Sequence, residues 1–174
     1  AEVVNAFAVK AMAEACAEMD IPLVHISTDY VSEGLGLDAF APTDPTSPQN
    51  AYGRTKLLGE NFVKNSGCTF AIVRTSWVFS AHGNNFVKTM LRLGQSRDQL
   101  SVVSDQVGGP TSARAIANVC LEIAMQLRAS PSKSGVYHYS GAPDVSWAEF
   151  AEQIFERASL NVNVTGIPTA EYPT

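Results

Sequence analysis

The stretch SPQNAYGRTKLLGE, residues 47–60, sets a tyrosine and a lysine, Tyr52 and Lys56, four positions apart. On a helix that spacing stacks the two side chains on one face. Pro48 biases Ser47 away from helical angles, so the helix begins just beyond it and Tyr52 falls in or near the first turn. The free amides of that turn and the Lys56 ammonium both favour negative charge on the phenol oxygen. A phenol placed this way can hand a proton to a carbonyl oxygen as hydride reaches the carbon. Upstream, Ser27-Thr28-Asp29-Tyr30 offers the Thr28 hydroxyl to hold the same oxygen. The bare spacing is common by chance. Its weight comes from order: a hydroxyl-rich strand end, a long loop, then the Tyr-x-x-x-Lys helix.

Alternating helices and strands must position these groups. Apolar residues at three- and four-residue steps (Val4, Phe7, Ala8, Ala11, Met12, Ala15, Met19) predict a helix over 2–19. Residues 21–27 and 70–75 are short, nearly continuous apolar runs, as expected of strands covered on both faces. Between them lies a Gly/Pro/Asp/Thr-rich loop over 32–49 and the Tyr52 helix over 50–65. Further helices are expected at 85–95, 112–128 and from Ser146 to residue 158, the last opened by the capping-box pattern Ser146-Trp147-Ala148-Glu149. Strands are expected at 100–103 and 136–139, and a short one at 162–167. Such alternation predicts an α/β fold with a doubly wound, mostly parallel, Rossmann-like sheet. In open sheets of this kind ligands bind beyond the carboxyl ends of the strands. Ser27-Thr28-Asp29-Tyr30 and Thr75-Ser76-Trp77 occupy those places.

The chain has 174 residues, 45% of them apolar and 17% charged, which suits one globular domain and excludes disorder. A net charge of −5 argues against a nucleic-acid or membrane-surface binder. The three scattered cysteines, Cys16, Cys68 and Cys120, form no disulfide framework and point to a reducing, cytoplasmic setting. His25, His82 and His138 have no metal-ligand spacing, so no metal is expected. The sequence opens directly in a helical pattern without a start methionine, so it reads as a fragment of a longer protein: a single α/β unit over 1–174, with the catalytic part in 1–80 and mixed substrate-binding and sheet-completing segments in 81–174.

Several motifs in order carry a resemblance. Ser27-Thr28-Asp29-Tyr30-Val31 followed by Pro48-x-x-x-Tyr52-Gly53-x-Thr55-Lys56 resembles the extended short-chain dehydrogenase/reductase family. Arg74-Thr75-Ser76-Trp77-Val78, Gly83-Asn84-Asn85-Phe86-Val87-Lys88-Thr89-Met90, Asp105-Gln106-x-Gly108-x-Pro110-Thr111, Tyr137-His138-Tyr139-Ser140-Gly141 and the closing AEYPT are similar to the dTDP-4-dehydrorhamnose reductases within it. The resemblance implies reduction of the C4 ketone of a dTDP-linked 4-keto-6-deoxy sugar by NADPH or NADH. It implies Tyr52 as proton donor, Lys56 on the nicotinamide ribose, Thr28 on the reacting oxygen and Ser27 beside the cofactor. Asp29 and Tyr30 would border the sugar, Trp77 would lie against its ring, and Asn85 would open a helix whose end receives diphosphate or nucleotide oxygens. Homodimerisation is left open.

Departures accompany the match. No glycine-rich turn of the kind that cradles a dinucleotide pyrophosphate occurs in this sequence, and Ser32 stands where the family commonly has a bulky aromatic. The fragment alone is therefore expected to bind dinucleotide poorly and to be inactive. A non-catalytic, dinucleotide-binding regulatory subunit of the same fold is the alternative reading. An epimerase or dehydratase fits less well, because Thr28 is followed by Asp29-Tyr30 rather than an Asp-Glu pair. Among other residues, Asn5 is a candidate site-stabilising asparagine, Arg74 reads as structural, Trp147 as packing, and Lys88 and Arg92 as a solvated face or an anion-binding pair.

Overall fold

A computed structural model describes residues 1–34, 36 and 38–172. Two residues of the 32–49 loop, Leu35 and Leu37, and two of the closing AEYPT, Pro173 and Thr174, lie outside the described residues. In chain order the elements are α1 (Ala8–Glu18), β1 (Leu23–Thr28), α2 (Ala51–Asn65), β2 (Phe70–Thr75), β3 (Val78–Phe79), α3 (Phe86–Gly94), β4 (Gln99–Val103), β5 (Val107–Gly108), β6 (Thr111–Ser112), α4 (Ala113–Ala129), β7 (Gly135–His138), β8 (Val145–Ser146), α5 (Trp147–Arg157) and β9 (Asn163–Ile167). A π-helical turn at Val3–Phe7 leads into α1.

The chain forms two compact units that interleave in sequence: 1–75 with 116–139, and 76–115 with 140–174. The linear division at residue 80 expected from the sequence differs from this, because the chain leaves the first unit after β2 and returns to it within α4. In the first unit β1, β2 and β7 form a parallel sheet in that order, with Leu23 beside Phe70 and Thr28 beside Thr75. Parallel neighbours need a crossover, and α2 supplies it between β1 and β2. Val9, Ala13, Val63, Cys68 and Ile72 pack the core under this sheet. In the second unit β4 pairs in parallel with β9, and Ala151, Ile154 and Phe155 of α5 pack with Leu100 and Val102 of β4 and Met90 of α3 in one core. β4 therefore belongs to a separate ladder rather than to the main sheet. Two-residue pairings β3–β6 (parallel) and β5–β8 (antiparallel) complete this unit. They are too short to leave a period-two signal in the sequence.

Three helix starts are set by side chains that accept the free first-turn amides. Asn50 accepts from Gly53 N at 2.7 Å, and Asn85 from Lys88 N at 3.2 Å. Ser146 and Glu149 make the reciprocal box, with Ser146 Oγ accepting from Glu149 N at 3.1 Å and Glu149 Oε2 from Ser146 N at 2.6 Å. Among the described residues no helix is long and apolar enough to cross a membrane.

Candidate functional site

In the first unit, α2 is held along β1 by close backbone approach and by one cation. Gly53 packs on the Tyr30 carbonyl, and a Cβ at that position would collide with it. Gly59 lies equally close to the Asn5 carbonyl. These glycines are needed for lack of a side chain rather than for an unusual backbone angle. Lys56 Nζ donates to the Ile26 carbonyl at 2.7 Å, two residues before Thr28. Burial, partly offset by the Glu60 carboxylate, lowers the Lys56 pKa from its ordinary value. Tyr52 is 48% exposed, and its ring meets Tyr30 edge-on at 6.0 Å. Tyr52 and Lys56 thus share the α2 face that runs along the carboxyl end of β1, as their spacing predicts.

Thr28 is buried, and its hydroxyl is engaged within a tight turn. It donates to Asp29 Oδ1 at 3.0 Å and accepts from Tyr30 N at 3.3 Å. Ser27 turns the other way: its hydroxyl donates to Glu60 Oε1 at 2.6 Å inside the unit. Asn5 Nδ2 donates to the Thr55 side chain at 3.1 Å, one residue before Lys56 on α2.

Beneath these groups lies a buried ion pair that the sequence reading did not assign. Glu60 is 0% exposed and Arg74 4%. Arg74 Nε and Nη2 donate to the two Glu60 oxygens at 2.9 and 2.8 Å, a bidentate fork. Lys64 Nζ adds a third cationic donor at 3.3 Å. Burial alone would raise the Glu60 pKa, but the hydrogen bonds from Arg74 and Ser27 outweigh it and hold the carboxyl below its usual value. The fork ties α2 to β2, and Ser27 ties the same carboxylate to β1. The only sequence signal was periodic: Glu60 is i+4 from Lys56. Arg74 takes the structural role expected of it.

His25 is buried on β1 with Nε2 unpartnered, and burial followed by the Lys56 charge lowers its pKa to about 4. His138 Nδ1 lies 3.0 Å from the Phe40 carbonyl. A carbonyl can only accept, so Nδ1 carries the proton, and the contact ties the long loop to β7.

The second unit holds Trp77 and Asn85. Trp77 sits at a left-handed φ of 49°, just past β2. Its ring stacks on Trp147 at 3.4 Å with 9° between planes. A Cβ built on Gly108 would lie 2.9 Å from Trp77 Cε2. The stack fills one face of the Trp77 ring, Gly108 approaches the same ring, and the side chain stays partly exposed. Asn85 caps α3 and also donates from Nδ2 to the Ser80 carbonyl at 2.7 Å. Its side chain is committed, and the α3 terminus rather than the amide is what remains for a ligand.

Trp147, read from sequence as packing, packs on Trp77, Phe86 and Phe150 and also faces a cleft. With Phe86, Val102, Val103, Gln106, Thr169 and Tyr172 it lines a cleft of about 300 Å³. Its Nε1 donates to Gln106 Oε1 at 3.3 Å, and Phe86 packs on it at 4.6 Å. Asp105 accepts from Thr169 N at 2.9 Å and from its hydroxyl at 2.6 Å, and these bonds lower its pKa. Pairs more than forty residues apart make up this wall, so no local pattern reveals it.

A βαβ sheet whose crossover helix brings a tyrosine and a lysine along the carboxyl end of its first strand defines a Rossmann-like α/β protein of the tyrosine–lysine type. Comparisons narrow the class. The RmlD substrate binding domain model matches residues 1–174, and the chain belongs to that family. It is 44% identical to dTDP-4-dehydrorhamnose reductase of Sinorhizobium fredii, across 98% of this chain and 60% of the relative. It is 39% identical to the Escherichia coli K12 protein of the same name, across 100% and 60%. Among solved structures, dTDP-4-dehydrorhamnose reductase of Clostridium acetobutylicum superposes with a TM-score of 0.89 at 42% identity, covering 97% of this chain and 58% of that one. The Bacillus anthracis reductase, solved in complex with NADP, gives 0.87 at 41%, covering 97% and 59%. The chain thus spans about 60% of the length of the curated relatives it matches.

Proposed function

We propose that this chain carries the proton-transfer residues and the nucleotide-sugar subsite of a dTDP-4-dehydrorhamnose reductase, which reduces the C4 ketone of the sugar with a reduced nicotinamide cofactor. One observation carries the reading: α2 holds Tyr52 and Lys56 on one face along the carboxyl end of β1, fixed by the Lys56–Ile26 bond. The relatives' shared name supplies the substrate.

The residues present fit a nicotinamide ribose. Lys56 spends one of its three N–H donors on Ile26, leaving two for ribose hydroxyls. Bound there, the cofactor supplies hydride. Everything else falls to the chain. Tyr52, half exposed, gives its phenolic proton to the carbonyl oxygen as that oxygen gains charge. Lys56 keeps a positive charge beside the phenolate left behind. The Thr28 hydroxyl holds the same oxygen by turning its proton away from Asp29. Asp29 and Tyr30 border the sugar and Ser27 backs the cofactor side. The flat apolar cleft of the second unit, with Phe86, Trp147 and Tyr172 in its wall, takes the thymine base. The α3 terminus capped by Asn85 receives the diphosphate. A reaction that consumes NADPH or NADH suits a cytoplasmic setting.

The test uses the full-length protein carrying this chain, a dTDP-4-keto-6-deoxy sugar and NADPH, with loss of nicotinamide absorbance as the readout. Tyr52→Phe is expected to lower kcat by about 10²- to 10⁴-fold, the usual contribution of a positioned general acid. A variant that keeps the wild-type rate removes Tyr52 from the mechanism.

A further inference from the structure

We infer that Gln106 is the base-reading residue of the cleft, and that its amide is wired to accept an imide edge, as in thymine or uracil, and to reject cytosine. The inference rests on the reading of this cleft as the nucleotide site and goes beyond it by naming what selects the base.

The argument concerns which end of the amide is oxygen. Amide oxygen and nitrogen are nearly the same size, so orientation has to come from the partners. Here both partners are chemically one-sided. The Trp147 indole N–H only donates, so the atom it faces at 3.3 Å is the Gln106 oxygen. At the other end, the ionised Asp105 carboxylate only accepts, so the Thr169 hydroxyl must give its single proton to Asp105, at 2.6 Å. That leaves Thr169 Oγ1 as an acceptor toward Gln106, and the atom 3.0 Å from it is the nitrogen. The Thr169 backbone N–H, 2.9 Å from both Asp105 oxygens, fixes the carboxylate in turn. Turning the amide over would set N–H against N–H at Trp147 and oxygen against an oxygen with no free proton at Thr169.

With those bonds made, Gln106 keeps one N–H and one oxygen lone pair, in a fixed order, at the wall of the cleft. Thymine and uracil present an N3–H beside a carbonyl, a donor and an acceptor that match this order. At the same place cytosine presents its unprotonated N3 to the Gln106 oxygen, two lone pairs facing each other. Cytosine finds a match only by sliding one ring position, which its bond to the ribose opposes. Gln106 is exposed in the free chain, so the cost arises when a base seated in the cleft covers it. A polar group then left facing its like corresponds to about a ten- to hundred-fold loss of affinity.

The test compares UDP with CDP, which differ only at the base edge, titrated calorimetrically into the full-length protein. Wild type is expected to favour UDP by about ten- to hundred-fold. Gln106→Leu keeps the size of the side chain and is expected to bring the two within about threefold, chiefly by weakening UDP. Gln106→Glu, which only accepts, is expected to shift the ratio further toward CDP through the cytosine amino group. A melting curve for each variant separates loss of fold from loss of preference. Wild type binding UDP and CDP equally, or a preference that survives Gln106→Leu, overturns the inference and leaves the nucleotide site standing. If neither diphosphate nor dTDP binds wild type, the nucleotide reading of the cleft falls as well.

Discussion

The two units bury different chemistry. Among the described residues, the first encloses His25, Glu60 and Arg74, all ionisable. The buried polar residues of the second are the hydroxyl-bearing Thr111 and Ser146 alone. Its order comes from stacked rings instead, Trp77 on Trp147 and Phe86 on Phe150. The contrast follows from what each is proposed to hold. A proton donor and a cation must keep a set distance from one reacting oxygen, and a forked ion pair fixes direction as well as distance. A planar base needs a flat wall and a few oriented polar groups, which stacked aromatics and a wired amide supply. Burying charge costs desolvation, and the buried ion pair of the first unit, Glu60 with Arg74, offsets that cost with its forked hydrogen bonds. The oriented hydrogen bond of the second unit between Gln106 and Thr169 lies at exposed residues.

The contrast can be broken at several points. The largest effect is expected for Tyr52→Phe, the rate loss given above, with little change in melting temperature because the hydroxyl has no hydrogen bond within the described chain. Next comes Glu60→Ala, which strands a buried guanidinium. It is expected to destabilise the protein by about 3–5 kcal/mol in denaturant unfolding. Glu60→Gln, which keeps an acceptor for Arg74, should recover part of that loss. Equal stability of wild type and Glu60→Ala would remove the claim that this fork sets the first unit.

A third effect is in pH. His25 has a folded pKa of about 4, below its ordinary 6.5. It is therefore neutral in the fold and takes up a proton more readily when unfolded. Its contribution is complete above about pH 6.5 and is lost as pH falls from there through 4, to the extent of roughly 3 kcal/mol. His25→Asn is expected to flatten the stability profile in that window. A profile as steep in the variant as in wild type assigns the acid sensitivity elsewhere.

The smallest effect belongs to the second unit. Gly108→Ala puts a methyl 2.9 Å from the Trp77 ring and is expected to cost about 1–3 kcal/mol through overpacking. Indole fluorescence should change with it, since the Trp77–Trp147 stack must shift. An unchanged spectrum and melting temperature would mean that Gly108 and the Trp77 ring are not in tight contact.

Much of the first unit was legible beforehand. The strand at 70–75 and the helix beginning at Asn50 fall where hydrophobic pattern and capping chemistry put them. The capping box at Ser146 closes as its spacing requires. Short pairings such as β5–β8 were not legible, because two residues carry no periodicity. The stacking of Trp77 on Trp147, with Gly108 close to the same ring, was not legible either, since these partners lie far along the chain from Trp77. For Trp147, its place in a capping box describes its backbone, while its side chain stacks on Trp77, packs on Phe86 and donates to Gln106.

What the sequence determined by itself is local. Tyr52 and Lys56 share a face because 3.6 residues make a helical turn, wherever that helix goes. Asn50, Asn85 and Ser146 open helices because each side chain reaches only its own first turn. Tertiary structure decided the rest: that Glu60 meets Arg74, that Trp77 stacks on Trp147, and that Asp105, through Thr169, orients Gln106. Those pairings join residues with no fixed separation along the chain. A hydrogen-bond donor or a ring face has many candidate partners in a sequence, and only packing brings one of them within reach.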